Sequence, residues 1–324
     1  MKVLITGGAG YIGSIVAEVL LEAGDDVVVY DNLSTGHRNA VHPEARFVAG
    51  DVGDEELLVA TLRDNGTEAV VHMAGFIEAG ESMADPGKYF RNNACRPISL
   101  LEAMNTVGVD RILFSSTAAI YGDPLTDVID EDHRQFPANA YGESKLSYER
   151  ILDWYDRIHG IRHGALRYFN AAGASKDRGE DHQPESHLIP LVLQAALGKR
   201  PGVDIYGTDY PTLDGTCIRD YIHVRDLADA HLLALRHLDG ESLHFNLGNG
   251  RGYSVREVID TARVVTEVDF EVRETGRRPG DPAVLVASSA RIVEALDWQP
   301  RFPSLAAIVE SAWRWHREHP GGYS

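Results

Sequence analysis

Lysine is scarce in this chain. There are five, at positions 2, 88, 145, 176 and 199, against twenty-six arginines and forty-nine acidic residues. The formal charge of −18 leaves no broad cationic face, which argues against nucleic acid or an anionic membrane as partner. An anionic ligand would need a local cluster of arginines. Cysteine is scarcer still. Cys95 and Cys217 have no metal-like spacing, so a reducing compartment without disulfides is expected. No apolar run approaches the roughly 20 residues that span a bilayer. The chain opens directly on the strand-like KVLITGG, without the apolar core or cleavage site of a leader, and a cytoplasmic location is expected. The fourteen histidines show no ligand spacing, since Gly160 interrupts the pair His159 and His163. No metal is expected, and the carboxylates at Glu180 and Asp181 read as a solvated loop.

The 324 residues, 44% hydrophobic, are enough for a large core and about two domains. Short apolar runs at 3–6, 27–30, 46–49, 69–72 and 112–115 alternate with amphipathic stretches. In IGSIVAEVLLEAG, residues Ile12, Ile15, Val16, Val19 and Leu20 form one stripe that stops at Gly24. DEELLVATLRDNG and PISLLEAMNTVG repeat that logic. Such alternation predicts an α/β fold, a doubly wound parallel sheet of Rossmann type. HGALRYFN reads as a sixth strand, and the polar AAGASKDRGEDHQPESH after Asn170 as a loop. RDYIHVRDLADAHLLALRHL reads as one amphipathic helix. SLHFNLG reads as a strand that returns to the first sheet. The expected division is a dinucleotide-binding domain over 1–176, to which 220–248 returns, and a smaller mixed α/β substrate domain over 177–324.

LITGGAGYIGS joins the first strand to the first helix. Gly8, Gly10 and Gly13 fit G-x-G-x-x-G, with Gly7 beside them. Glycines there let backbone approach a pyrophosphate at a helix N-terminus. Asp31, at the end of the second strand, suits an adenosine ribose and would repel a 2′-phosphate, which favours NAD over NADP. Ser115, Ser116 and Thr117 fall at the carboxyl end of the fifth strand, where ligands of such sheets sit. Tyr141 and Lys145 are four apart, so on a helix they share a face. A lysine cation there favours the phenolate, which makes the pair a candidate general base.

TGGAGYIGS, SSTAAIYG, YGESK, RYFNAAG and IRDYIHVRDLA together resemble the extended short-chain dehydrogenase/reductases, and among them the sugar-nucleotide 4-epimerases. The resemblance runs over nearly the whole chain, to RRPGDPA and the terminal HPGGY. It implies interconversion of UDP-glucose and UDP-galactose by oxidation at C4, rotation of the keto sugar and re-reduction, with NAD retained and a homodimer as the working unit. Tyr141 would be the base, Lys145 would hold the nicotinamide ribose, and Thr117 would bond the reacting hydroxyl. The residues expected around NAD are Gly7, Gly10, Tyr11, Ile12 and Gly13; Asp31, Asn32, Asp51 and Val52; Met73, Ala74 and Gly75; Asn93; and Ser115, Tyr141, Lys145 and Tyr168. Around the UDP-sugar the resemblance implies Thr117, Asn170, the backbone near His187 and Leu188, Tyr206 in the uracil pocket, Arg219 and Arg278 at the phosphates, and Asp281 on the uridine ribose. Leu285 would face the sugar and limit N-acetylated substrates.

Ile77 departs from the family, some of whose members carry a cofactor-contacting lysine there, and Cys95 and Arg96 stand where the family varies or has glycine. Related 4,6-dehydratases need an acid/base pair right after the active-site threonine. Here Ala118 and Ala119 follow Thr117, which favours epimerisation. UDP-glucuronate epimerases and decarboxylases are nearer rivals, and a non-catalytic NAD sensor is a remote one.

Overall fold

The computed structural model describes residues 1–278 and 281–324. Its strands are β1 (Lys2–Thr6), β2 (Asp26–Asp31), β3 (Arg46–Ala49), β4 (Ala69–His72), β5 (Arg111–Thr117), β6 (Val128–Ile129), β7 (Arg162–Tyr168), β8 (Asn170–Ala172), β9 (Gly202–Tyr206), β10 (Ile218–His223), β11 (Leu243–Leu247), β12 (Gly252–Ser254), β13 (Glu271–Thr275) and β14 (Val284–Ala287). Seven form the main sheet in the order β11-β7-β5-β4-β1-β2-β3, and every pairing in it is parallel. The strand order reverses between β1 and β4, so a crevice opens beyond their carboxyl ends.

Helices cover both faces of this sheet, which is why its central strands are apolar throughout. On one face, Ile15, Val16 and Leu20 of the helix Tyr11–Glu22 pack with Leu227 and Leu235 of the helix Val224–Arg236. On the other, Leu100 and Met104 meet Tyr148 and Leu152. Local signals set the helix ends. Asp54 accepts from the Leu57 N–H to start one helix, which stops at Gly66 with φ 58°. Asn139 caps the helix Ala140–His159, and Gly160 ends it at φ 70°. A smaller part holds the sheet β12-β10-β14-β6, with β8 added beside β10 and a separate β13-β9 pair. Its core includes Val192, Ile205, Val258 and Ile308.

Two expected elements are corrected. HGALRYFN is not one strand: β7 ends at Tyr168, and β8 begins at Asn170 in the smaller sheet. The expected long helix from Arg219 starts only at Val224, because residues 218–223 are strand β10. Asp220 within it is fully buried and accepts the N–H groups of Asn249, Gly250 and Ala287. Those long-range donors hold the segment extended against its charged, helix-like pattern. β11 lies beside β7, as read from SLHFNLG.

A buried ion pair joins these parts. Arg167 of β7 donates to both oxygens of Glu149 on the helix Ala140–His159, at 3.2 and 2.8 Å. Ser116 of β5 donates to the same carboxylate, and Arg167 also bonds the Tyr121 hydroxyl. Arg167→Met would leave the Glu149 charge buried without its partner. A loss of about 3–5 kcal/mol is expected, read as a lower denaturant midpoint in urea. An unchanged midpoint would show that the pair is dispensable.

Candidate active site

A cavity of about 730 Å³ opens at the strand-order reversal. Its floor is the loop after β1. A Cβ added at Gly13 would stand 2.3 Å from the Gly7 carbonyl oxygen, and one at Gly7 would stand 2.5 Å from the Ala74 nitrogen. These positions leave room for backbone alone, the cradle a pyrophosphate requires. The helix Tyr11–Glu22 begins at that cradle, with Gly10 as its N-cap.

Asp31 closes the β2 end. It accepts from the Ala9 N–H at 3.0 Å and the Leu33 N–H at 2.8 Å. Burial raises its pKa, and these two donors oppose the rise. Each oxygen keeps a lone pair for a ribose hydroxyl. Asp51 accepts from Asn32 at 2.9 Å and from Arg96 at 3.0 Å, so the family departure at Arg96 orders this rim. Val52, Met73, Ala74, Gly75, Ile77 and Lys88 also line the cavity. The chain therefore fits a dinucleotide on the strength of its glycine cradle and strand-end carboxylate.

Ser115, Thr117, Tyr141, Lys145 and Tyr168 meet on the opposite wall. The Lys145 amine donates to the Ser115 carbonyl at 2.9 Å, and burial brings its pKa down to about 8. The lowering of the Tyr141 pKa expected from Lys145 with the help of the nicotinamide ring is not seen in the chain by itself. Burial raises that pKa, the nearby Thr117 hydroxyl opposes the rise, and Glu78 adds to it. Desolvation of a phenol outweighs a lysine engaged elsewhere. Asn93 stands behind the wall rather than in it. Its side chain bonds both the N–H and the carbonyl of Phe76, at 2.9 and 3.0 Å, and the Ser144 hydroxyl at 3.1 Å. Asn170 lines the cavity and donates to the Asp220 carbonyl at 2.8 Å.

Of the expected substrate residues, Thr117, Asn170 and His187 border this cavity, whereas Leu188, Tyr206, Arg219, Arg278, Asp281 and Leu285 lie outside its lining. Leu188 is the first residue of the helix Leu188–Ala196. Arg278 stacks on the Tyr206 ring at 3.8 Å. Arg219 lies 3.6 Å from Asp281 and donates to the Ile218 and Pro282 carbonyls at 2.9 and 2.8 Å. Leu285 packs half-buried against the cluster of Ala118, Tyr121 and Phe169. These form a second group in the smaller part.

The loop after β8 is not the solvated segment expected. Arg178 is buried, donating to Glu18 at 2.8 Å and to the Ala40 carbonyl at 2.9 Å. Trp315 packs on Gly179 so closely that a Cβ there would stand 2.3 Å away. Glu180 is 5% exposed. Burial would raise its pKa, but His187 and His182 lower it to about 2. Both imidazoles are in turn raised, against their own burial, by Glu180 and Glu185. The alternation Glu-x-His-x-x-Glu-x-His is visible in the sequence, but nothing local in it signals that the loop folds inward.

Gly13→Ala forces its methyl group into the Gly7 carbonyl. At about 1–3 kcal/mol for overpacking, dinucleotide affinity should fall roughly 5- to 150-fold. Bound nucleotide released on denaturing the purified protein checks this, with circular dichroism to confirm the fold. Full retention would remove the cradle from the cofactor site.

Residues 3–248 match the family model described as the NAD dependent epimerase/dehydratase family. The UDP-glucose 4-epimerase of Lacticaseibacillus casei is 50% identical over 327 residues, covering 100% of this chain and 99% of its own. A crystal structure of a UDP-glucose 4-epimerase superposes with a TM-score of 0.98 at 48% identity, with both chains covered completely. The Brucella ovis UDP-glucose 4-epimerase in complex with NAD gives 0.94 at 45% identity, with 97% of each chain covered. The matched span takes in the glycine cradle, Asp31, the Tyr141–Lys145 wall and the returning strand β11, and the chain belongs to the NAD dependent epimerase/dehydratase family.

Proposed function

We propose that the protein is an NAD-dependent isomerase that interconverts UDP-glucose and UDP-galactose at C4. The observation that carries this reading is the single cavity that brings Tyr141, Lys145 and Thr117 to the glycine cradle. Relatives about 50% identical over their full lengths carry the name UDP-glucose 4-epimerase. Residues 1–176 with 220–248 hold the cofactor, and 177–324 hold the nucleotide sugar.

NAD, when bound, supplies the hydride acceptor and donor. Tyr141 takes the proton from the C4 hydroxyl, and Thr117 aligns that hydroxyl. The buried phenol is neutral in the chain alone, so ionisation belongs to the loaded site, where water is excluded and positive charge is close. Lys145 reaches the nicotinamide ribose from the same helix face. Gly7, Gly10, Tyr11, Ile12 and Gly13 cradle the pyrophosphate. Asp31, Asn32, Asp51 and Val52 hold the adenosine end, while Met73, Ala74, Gly75, Ser115 and Tyr168 flank the nicotinamide end. Asn170 and the backbone near His187 and Leu188 contact the substrate diphosphate. Arg219 and Arg278 add charge there, with Tyr206 and Asp281 at the uridine, and Leu285 limits the sugar pocket. Tyr141 returns the proton after the keto sugar has turned.

Ala118 and Ala119 leave no acid/base pair after Thr117, which disfavours dehydration. Glu78 and Glu81 among the lining residues disfavour a uronate carboxylate. Incubation with UDP-glucose, UDP-galactose or UDP-N-acetylglucosamine, with products resolved by chromatography, should show the first two interconverting and the third turning over weakly. Tyr141→Phe should lower kcat by about 10²- to 10⁴-fold and leave UDP-sugar binding in place. Near-normal turnover in that variant, or no sugar conversion by the wild type, would defeat the proposal.

The working unit is a cytoplasmic homodimer in this reading. Trp154 and Ile158, 59% and 66% exposed, lie one turn apart on the helix Ala140–His159 and offer an apolar face to a second copy. Light scattering should give twice the chain mass, and Trp154→Glu should give the monomer. A monomeric wild type would remove this element.

A further inference from the structure

Glu180, His182 and His187 line the cavity, Glu185 stands beside them, and none of these four side chains has a part in the sugar chemistry derived above. Its four potential ligand atoms all lie within 4.8 Å of one another. The His187 Nδ1 is 2.8 Å from a Glu180 oxygen and 2.9 Å from a Glu185 oxygen. The His182 Nδ1 is 3.2 Å from the same Glu180 oxygen and 3.9 Å from the other Glu185 oxygen. A tetrahedral ion with bonds of about 2.0–2.1 Å to nitrogen and oxygen separates its ligands by roughly 3.3–3.4 Å. Three of the four distances are shorter than that edge and one is longer, so small shifts of the side chains would seat the ion, with either Glu185 oxygen as ligand.

Charge and burial point the same way. The Glu180 and Glu185 side chains are each 5% exposed, and two carboxylates in so dry a place require two positive charges. A divalent cation with two neutral imidazoles supplies them and leaves the set neutral. Without it, neutrality takes a proton on each imidazole. The ligand atoms are also held from behind, as metal carboxylates commonly are. The N–H groups of Ser186 and His187 both donate to one Glu185 oxygen, at 2.8 Å each. The loop is fixed upstream by Arg178 on Glu18 and downstream by the helix Leu188–Ala196. That helix presents its N-terminus nearby, an opposing charge of only about +0.5 against two full carboxylates.

We propose that Glu180, His182, Glu185 and His187 form a binding site for one divalent transition-metal ion of the zinc class, which clamps the loop between Gly179 and the helix Leu188–Ala196 against the cavity. Two nitrogen and two carboxylate donors favour zinc over manganese, and manganese over magnesium. This inference does not depend on which sugar the protein converts, because it is read from metal content and not from turnover.

The test uses the NAD-loaded protein carrying Cys95→Ser, so that the exposed thiol does not contribute. After chelator treatment and desalting, dialysis against zinc chloride should leave about one zinc per chain by mass spectrometry, with less manganese and no magnesium from their chlorides. Glu185→Gln should weaken zinc binding at least tenfold. Crystals of the zinc-loaded protein should give an anomalous peak at the zinc edge between Glu180 and His187, and this measurement stands even if the variant fails to fold. No retained zinc, zinc binding unchanged in Glu185→Gln, or an anomalous peak elsewhere overturns the proposal.

Discussion

The ion pair between Glu149 and Arg167 fixes the helix on which the candidate chemistry depends. Both side chains are nearly solvent-free, at 4% and 3% exposure. A buried pair of this kind adds little net stability over apolar packing, because desolvation offsets most of the attraction. What it specifies is geometry. Tyr141, Lys145 and Glu149 are spaced by four along one helix, so they lie on one face. Once Glu149 is locked to Ser116 of β5 and Arg167 of β7, that face can only turn Tyr141 and Lys145 toward Thr117 and Tyr168, the next residues of the same two strands. A rotation of the helix would cost the pair before it misplaced the phenol.

Glu18 plays the corresponding part at the other end of the cavity. It sits on the first helix and receives Arg178 from the loop after β8, Arg225 from the helix Val224–Arg236, and the Ser175 hydroxyl. One carboxylate thus ties the loop that carries Glu180 to Glu185 onto the helix that begins at the glycine cradle. The cofactor wall and the substrate-side wall share a support, so the spacing between them is set by packed side chains rather than by loop propensity.

The electrostatics of the cavity follow from its dryness. Tyr141 is raised and Lys145 lowered by the same burial, which moves the two groups apart in proton affinity and reverses the order they have in water. Environments that push two pKa values apart in this way are how one site keeps distinct proton donors and acceptors. The histidines and glutamates of the neighbouring loop show the opposite result of burial, where opposed charges hold each other ionised.

The dinucleotide half was legible in the sequence because its signals are local. The glycine cradle is contiguous with β1 and its helix, Asp31 ends the next strand, and Tyr141 and Lys145 are one helical turn apart. Five apolar runs with capped helices between them dictate a parallel sheet before any contact is known. Tertiary structure decided what depends on distant partners. Arg219–His223 became a strand because donors 29 to 67 residues away satisfy Asp220, and no helical periodicity reports that. Glu149 became a positioning group only through Arg167. Glu180, one acidic residue among forty-nine, became a buried charge because Arg178 and Trp315 fold its loop inward. The sequence by itself determined the elements and the local motifs, since backbone geometry and side-chain period act over a few residues. Which charges lose their water was decided by packing, since burial is a property of the assembled chain.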